Sequence, residues 1–281
     1  MSLAQISLAS KVRVTLHAAR MRLIVISRYR GQLMMDIIVP IVFAAMPILI
    51  ARSHGEGAAA TFEANTGTAN YVAFMLIGSS VFAVVSNAFW HIANWLRWEM
   101  ETGTLEALYL APVGRVWVAG GTALYSALRS TTSAFVAYLL GSMILGVNPF
   151  QGELLLALAF LFVGLLPLYG VALLFGAVVL KLKEAGSLIG LMQWLVSFLM
   201  GIFYPVAVFP PLVRAAALLF PPTWMTNGVR SALLGVGYFF GEWYLDLAVL
   251  WAFLFIAPLF GYWVFQHVET SMRKNEGAGQ F

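Results

Sequence analysis

Three glutamates, Glu99, Glu101 and Glu106, lie in the segment EMETGTLEALYLAP at positions 99–112, between two long apolar runs. Acidic side chains stabilise the N-terminus of a helix. Thr104 is a favourable capping residue for a helix that begins just after it. The chemistry available to this segment is therefore recognition: a short polar helix with carboxylates ready to pair with basic groups.

An apolar stripe completes this segment. Leu105, Leu108 and Tyr109 are spaced i, i+3 and i+4, so they share one helical face, and Pro112 ends the helix. About two turns are too few to cross a bilayer and only marginally stable alone. The helix must pack on something, either a partner outside the chain or simply the loop that closes a helical hairpin.

Catalytic constellations are absent from the sequence. It has no G-x-x-x-x-G-K-[ST] motif for ATP, no H-E-x-x-H, no nucleophile elbow and no Cys. His17, His54, His91 and His267 fall in separate segments, which argues against a metal cluster. The sequence also lacks a basic patch interleaved with aromatic residues, the pattern that would indicate nucleic-acid binding. We expect no enzyme activity, cofactor or metal in this chain.

Composition indicates what positions the polar segment. Of 281 residues, 61% are hydrophobic and 10% charged, whereas soluble domains carry about a quarter charged residues. The apolar residues come in long runs, which predicts a polytopic all-α membrane protein. We predict one transmembrane domain over 1–281, with an amphipathic interfacial helix at 1–33. Residues 34–265 form a six-span bundle, 52–69 an exposed loop, and 266–281 a polar tail. The predicted spans are about 34–51, 70–95, 115–147, 154–180, 188–206 and 245–265.

Two proline pairs mark an unusual stretch between the fifth and sixth spans. Each pair follows a Phe and suits the first turn of a helix. The helices they begin, about 211–219 and 222–235, are too short or too polar to span. They are predicted to form a re-entrant or interfacial pair.

Lysine and arginine placement predicts orientation. With six spans and an internal N-terminus, twelve basic residues lie inside and three outside, while Arg129 is left over, on or near the membrane. The termini and residues 99–112 are then cytoplasmic, and the short helix pair is external, in a multi-pass protein of the cell (inner or plasma) membrane. The inside set is Lys11, Arg13, Arg20, Arg22, Arg28, Arg30, Arg97, Arg115, Lys181, Lys183, Arg273 and Lys274; the outside set is Arg52, Arg214 and Arg230.

Few charges fall within the predicted spans. Asp36, Arg129 and Asp246 either mark a transport path or lie near an interface and snorkel. A proton- or ion-coupled carrier needs buried acids at mid-depth. Their scarcity indicates that any transport energy comes from elsewhere.

The polar segment resembles a known pattern, E-x-E-x-G-T-L-E-x-L-x-x-x-P, found in the membrane subunits of ABC-2 type ABC exporters. The resemblance extends to the basic N-terminal helix, the six spans and the short outer helices. The matching residues are Glu99, Glu101, Gly103, Thr104, Leu105, Glu106, Leu108 and Pro112, with Pro221-Pro222-Thr223-Trp224 followed by Arg230.

This resemblance implies a mechanism. Residues 105–110 would be a coupling helix docked on a separate ATP-binding subunit, present in two copies, which would hold the ATP and Mg. Two permease copies, usually identical, would surround a path lined by the first, second and fifth spans. We assign coupling to Glu99, Glu101, Gly103, Thr104, Leu105, Glu106 and Leu108, and the path to Asn87, Met192, Phe198 and Phe203.

The residues are compatible with more than one class of substrate. The Met- and Phe-rich fifth span favours a hydrophobic or amphipathic substrate such as a drug or lipid, although a merely lipid-facing helix would look the same. A polysaccharide or glycolipid exporter on the same scaffold is the alternative. A secondary carrier or channel would need buried ionisable groups or internal repeats, and an intramembrane enzyme a convergent acid–base or metal set.

Overall fold

The structure is a computed structural model that describes residues 7–54, 56–101, 103, 115–182 and 185–276. Within these ranges every regular element is helical, so the predicted all-α class is confirmed. The helices are α1 (Leu8–Ser27), α2 (Arg30–Ser53), α3 (Glu56–Thr66), α4 (Tyr71–Glu101), α5 (Arg115–Leu145), α6 (Leu154–Leu182), α7 (Ala185–Leu199), α8 (Pro211–Leu218), α9 (Pro221–Leu234) and α10 (Trp243–Glu276), with a 3₁₀ turn at Val206–Val208.

Five of the described helices are long and apolar enough to cross a membrane, since a span needs about 20 residues. They make the chain a multi-pass membrane protein. The predicted fifth span coincides with α7, whose apolar part, Ile189–Leu199, is shorter. The five candidate spans are Arg30–Ser53, Tyr71–Ile92, Trp117–Leu145, Leu154–Val178 and Trp243–Val268.

α4 is the central helix. Most of its apolar side chains are buried, including Leu76, Val84 and Phe89. It packs on α2, α5, α6, α7 and α9. α2 and α10, by contrast, keep most of their apolar surface exposed, as expected of helices that face lipid.

The two ends of the bundle are distinguished by the helices that pack there, α1 at one end and α9 at the other. At one end, here the α1 end, Thr15 of α1 donates a hydrogen bond to the carbonyl of Trp117 near the start of α5, at 2.9 Å. At the other, the α9 end, Thr223 of α9 donates to the carbonyl of Leu199 at the close of α7, at 3.3 Å. α4 runs from the α9 end to the α1 end, and α5 returns.

Close packing fixes α1 to α5. Gly121 lies so near α1 that a Cβ there would stand 2.6 Å from the Ala18 Cβ and 2.7 Å from the Thr15 carbonyl oxygen. Glycine permits this approach because it has no side chain. The helix ends at Ser27, and residues 30–33 of the predicted interfacial segment already belong to α2. α1 is therefore an integral part of the bundle end.

One sequence expectation needs correction, and another becomes more specific. The segment predicted as the exposed loop 52–69 contains helix α3, because its Ala-rich run outweighs the glycines that suggested a loop. The tail predicted from residue 266 is helical up to Glu276, since helix-forming side chains such as Gln266, Met272 and Arg273 continue α10.

Candidate functional site

A groove of about 290 Å³ lies between α2 and α4. Apolar and aromatic side chains share its walls with a carboxylate, an amide and hydroxyls. Such mixed walls suit a ligand that has both apolar and polar parts. We call it the α2–α4 groove; its lining residues are Met35, Asp36, Val39, Pro40, Phe43, Ser79, Phe82, Ala83, Ser86 and Asn87.

α7 is tied to the groove-bearing side of α4 by a polar contact. Gln193 of α7 donates a hydrogen bond from Nε2 to the Ser86 hydroxyl at 2.8 Å. One turn from the groove centre, the Asn87 amide donates to the carbonyl of Ala83 at 2.9 Å, which leaves its oxygen available. α2, α4 and α7 thus meet around one polar–apolar surface.

An aromatic cluster closes the α9-end side of this groove. Phe43 of α2 stacks on Phe82 of α4 with centroids 5.6 Å apart. Phe43 also contacts Phe203, at 5.1 Å, in the turn that follows α7. We call Phe43, Phe82 and Phe203 the aromatic cluster, which joins the three elements by ring contacts.

Beyond the aromatic cluster lies a second, larger cavity of about 540 Å³, which we call the outer cavity. Phe203 and Tyr204 both line it. The aromatic cluster therefore borders both cavities, because Phe43 and Phe82 line the groove and Phe203 lines the outer cavity. The other lining residues are His54, Gly57, Thr61, Phe62, Asn65, Pro205 and Val208.

A buried ion pair borders the α2–α4 groove. Arg129 of α5 donates from Nε to Asp36 Oδ2 at 2.7 Å and from Nη2 to Oδ1 at 3.0 Å, a bidentate arrangement. Its Nη1 also donates to the Tyr125 hydroxyl at 2.9 Å. Arg129 is only 6% exposed. The pair therefore neutralises a charge inside the bundle, and Arg129 does not snorkel to an interface.

The third intramembrane charge of the sequence is also satisfied internally. Asp246, in the first turn of α10, is fully buried. Its two oxygens accept hydrogen bonds from the backbone amides of Phe239 and Phe240, at 2.8 and 3.0 Å. Asp246 thus caps the chain that enters α10 and has a structural role.

Arg230, predicted from the sequence to lie in the second short helix as one of the three outside charges, forms a clamp. From α9 it donates to the carbonyls of Phe74 at 3.2 Å and Gly201 at 2.8 Å, and also to that of Ile202. Its guanidinium lies 3.6 Å from the Phe74 ring centroid. Burial lowers the pKa of Arg230 to about 9, which leaves it protonated at neutral pH. The clamp joins α9 to α4 and to the turn after α7.

The predicted path residues separate into two groups. Asn87 lines the α2–α4 groove, and Phe203 contacts its aromatic boundary. Met192 is half-buried on α7, and Phe198 packs against the rings of Tyr204 and Phe209. Neither Met192 nor Phe198 is among the residues that line the groove.

The predicted coupling residues fall where α4 gives way to α5. Glu99 and Glu101 are in the last turn of α4. Gly103 has a φ of 69°, a left-handed conformation that favours glycine, and it turns the chain at that point. The remaining coupling residues lie outside the described ranges: Thr104, Leu105, Glu106 and Leu108.

Sequence reasoning missed three features of this site. The Asp36–Arg129 pair joins residues 93 positions apart, and the Gln193–Ser86 bond joins residues 107 apart. No local pattern signals either. Arg230 had a local signal, since it is the only charge in a helix otherwise free of charged residues.

Five candidate spans around a central helix that bears a groove, with further helices at both ends, define the class of multi-pass helical membrane proteins. Among the described residues no group of His, Cys, Asp and Glu is arranged to hold a metal ion. A family comparison is more specific, because residues 8–234 match the model of the ABC-2 type transporter. The match covers most of the chain, so the protein belongs to the ABC-2 type transporter family, as its sequence motif had indicated. No curated individual protein matches it.

Proposed function

We propose that this permease carries a hydrophobic or amphipathic substrate out of the cell along a path from the α2–α4 groove, through the aromatic cluster, to the outer cavity. The observation that carries the proposal is the position of the aromatic cluster between these two cavities. Two cavities of about 290 and 540 Å³ are separated by three Phe rings that belong to three different elements. A path that must be closed at rest and open in transit needs such a movable boundary.

The groove walls support this substrate class. Phe43, Phe82 and Val39 offer apolar contact, while Asn87 and Ser86 offer hydrogen-bonding groups. Asp36 is already paired with Arg129, so the groove carries no uncompensated charge that would require an ionic substrate. A polysaccharide needs many polar partners along its length, and this groove provides few.

ATP hydrolysis on a separate subunit supplies the energy in this proposal. The family normally works with an ATP-binding subunit. Residues 105–110 would dock on it, and two copies of each chain would form the transporter. α4 carries the groove and ends at the predicted coupling segment. A push on that segment would therefore act on a groove wall directly.

Six spans and cytoplasmic termini also belong to the proposal. α7 would be the remaining span, continued towards the membrane surface by the turn at 200–205. The α1 end would face the cytoplasm, and α3, α8 and α9 would lie on the outer side. Twelve basic residues against three favour this orientation.

The coupling segment provides the decisive test. The permease and its ATP-binding subunit would be co-purified and reconstituted, with Glu106→Lys and Leu108→Asp as variants. Both should abolish substrate-stimulated ATP hydrolysis, because they remove a carboxylate and an apolar contact from the docking face. Glu276→Lys, which reverses the same charge at the end of α10, is the matched control and should hydrolyse normally.

Two outcomes would contradict the proposal. Full hydrolysis in both variants would show that residues 105–110 do not transmit the signal. Transport by the purified permease without any ATP-binding subunit would favour a secondary carrier. Labelling of single cysteines at positions 106 and 216 from opposite sides of the membrane tests the orientation separately, because the native chain has no Cys.

A further inference from the structure

A third cavity lies on the opposite side of α4 from the α2–α4 groove. It measures about 360 Å³ and is enclosed by α4, α5, α6 and α9. Its walls are almost wholly apolar, with Ile77 and Val84 of α4 facing Ala157 of α6 and Val229 of α9. We call it the four-helix cavity. No part of the proposed path uses it.

The four-helix cavity opens at the surface of two membrane spans. Phe135 of α5 and Phe162 of α6 both line it, and they are 40% and 56% exposed. Each belongs to a candidate membrane span, within Trp117–Leu145 and Leu154–Val178 respectively. The mouth between them therefore faces the hydrocarbon region of the bilayer.

Water is a poor occupant of this cavity. A buried water needs two to four polar partners, and apolar cavities stay dry. Ser80 and Thr131 are on the lining, but their hydroxyl oxygens are inaccessible and have no hydrogen-bond partner among the described residues. The hydroxyl of Tyr138 donates to the carbonyl of Pro149. The walls thus present few polar atoms to a guest.

We propose that the four-helix cavity is a lipid site that takes one acyl chain of a membrane lipid, entering between Phe135 and Phe162. The bilayer supplies apolar chains at the mouth, and an unfilled cavity forfeits the dispersion contacts of its walls. A cavity of about 150 Å³ holds benzene, so 360 Å³ has room for a chain segment roughly twice that size. The inference is independent of the substrate and of ATP coupling.

The bound chain would support α9. Val229 and Leu233, which form the α9 wall of the cavity, flank Arg230 in sequence. The bound acyl chain would therefore fill the space next to the Arg230 clamp, which joins α9 to α4. It acts as a packing element supplied by the membrane.

Photo-crosslinking in nanodiscs tests the proposal. The probe is a phosphatidylcholine with a diazirine in one acyl chain, and labelled peptides are mapped by mass spectrometry. Wild-type protein should be labelled around Phe135 and Phe162 several-fold more than on α10, even though the α10 span is the more exposed. Ala157→Leu fills the cavity and should lower this labelling at least fivefold, whereas Ala252→Leu, the same change on the exposed face of α10, should leave it unchanged.

Each remaining result bears on the proposal. Uniform labelling of all exposed helices, or undiminished labelling of Ala157→Leu, would overturn it. Protection by the dye rhodamine 6G, an amphipathic transport probe, would assign the cavity to a transported substrate instead. A disulfide between two copies of Phe162→Cys would show that a second chain covers the mouth. The wild-type map requires no mutation, so a variant that fails to fold does not remove the test.

Discussion

Within the part of the chain that the structure describes, two arginines are buried inside the bundle, and they are held in different ways. Arg230 is bound by backbone carbonyls of Phe74, Gly201 and Ile202 and by the face of an aromatic ring. Arg129 is bound by the side chain of Asp36, which belongs to a different helix and also lines the α2–α4 groove. The first set of partners is fixed to the main chain, whereas the second can rotate.

This difference indicates which region stays rigid and which moves. Carbonyls cannot leave Arg230 unless α4 or the turn after α7 moves as a body, so the α9 end is a fixed frame. Asp36 can release Arg129 by rotamer changes and the sliding of α2 against α5. A two-state transport cycle needs contacts of the second kind near its path.

The largest effect is expected from Arg230→Met. The substitution keeps an apolar stem but leaves three buried carbonyls without a donor, each at a cost of about 1 to 3 kcal/mol. We expect little folded protein, measured as the monodisperse fraction in size-exclusion chromatography and by thermal unfolding. Arg214→Met, at an exposed position on α8, is the control and should behave as wild type. A well-folded Arg230→Met variant would contradict the rigid-frame interpretation.

The next largest effect is expected from Asp36→Asn. Asparagine keeps one acceptor but leaves the buried Arg129 guanidinium without a counter-charge, which costs about 3 kcal/mol when an ion pair loses one member inside a protein. Transport should fall at least tenfold, with partial loss of stability. The double variant Asp36→Asn with Arg129→Gln removes both charges and should recover the stability but not the transport. Recovery of both would reduce the pair to a packing contact.

A smaller effect is expected at the α1 end, from Gly121→Ala. The added Cβ would meet the backbone oxygen of Thr15 at 2.7 Å, so α1 must shift away from α5. Gly120→Ala is an adjacent control, because its Cβ would lie 3.7 Å from the Thr15 methyl group, an ordinary contact. Maleimide labelling of a single cysteine at Ala19, buried on α1, should rise several-fold in Gly121→Ala only. Equal labelling of the two variants would show that α1 does not depend on this close approach.

The sequence was sufficient for the features that depend on local patterns. Hydrophobic runs place the long helices, and the two Phe-Pro-Pro motifs place α8 and α9 within a residue or two. Local composition was misleading at residues 56–66. The glycines and small polar residues of the segment 52–69 predicted a loop, whereas the alanine run within it forms α3.

The features that define the site were harder to predict because they join distant segments. Asp36 meets Arg129, and Phe43 meets Phe203, only when α2, α5 and the turn after α7 are assembled. Asn87 was predicted from its place in the second span, and it lines the groove because that face of α4 turns towards α2. The four-helix cavity has no sequence signal, since its walls are the same aliphatic residues that fill the core.

The smallest effect is expected at Phe203, which lies between the fixed α9 end and the mobile helix α2. This ring follows α7 in the turn whose carbonyls hold Arg230, and it contacts Phe43 on α2. Phe203→Ala would open the boundary between the two cavities without touching either arginine, so we expect normal folding. Basal ATP hydrolysis with the partner subunit should rise a few-fold and become less dependent on substrate, because the resting boundary is lost. Phe198→Ala removes a ring from the separate contact with Phe209. It should leave unchanged the coupling ratio, which is the ratio of substrate-stimulated to basal ATP hydrolysis. Equal ratios in both variants would mean that the aromatic cluster only contributes packing. The boundary between the fixed α9 end and the mobile α2 would then lie elsewhere.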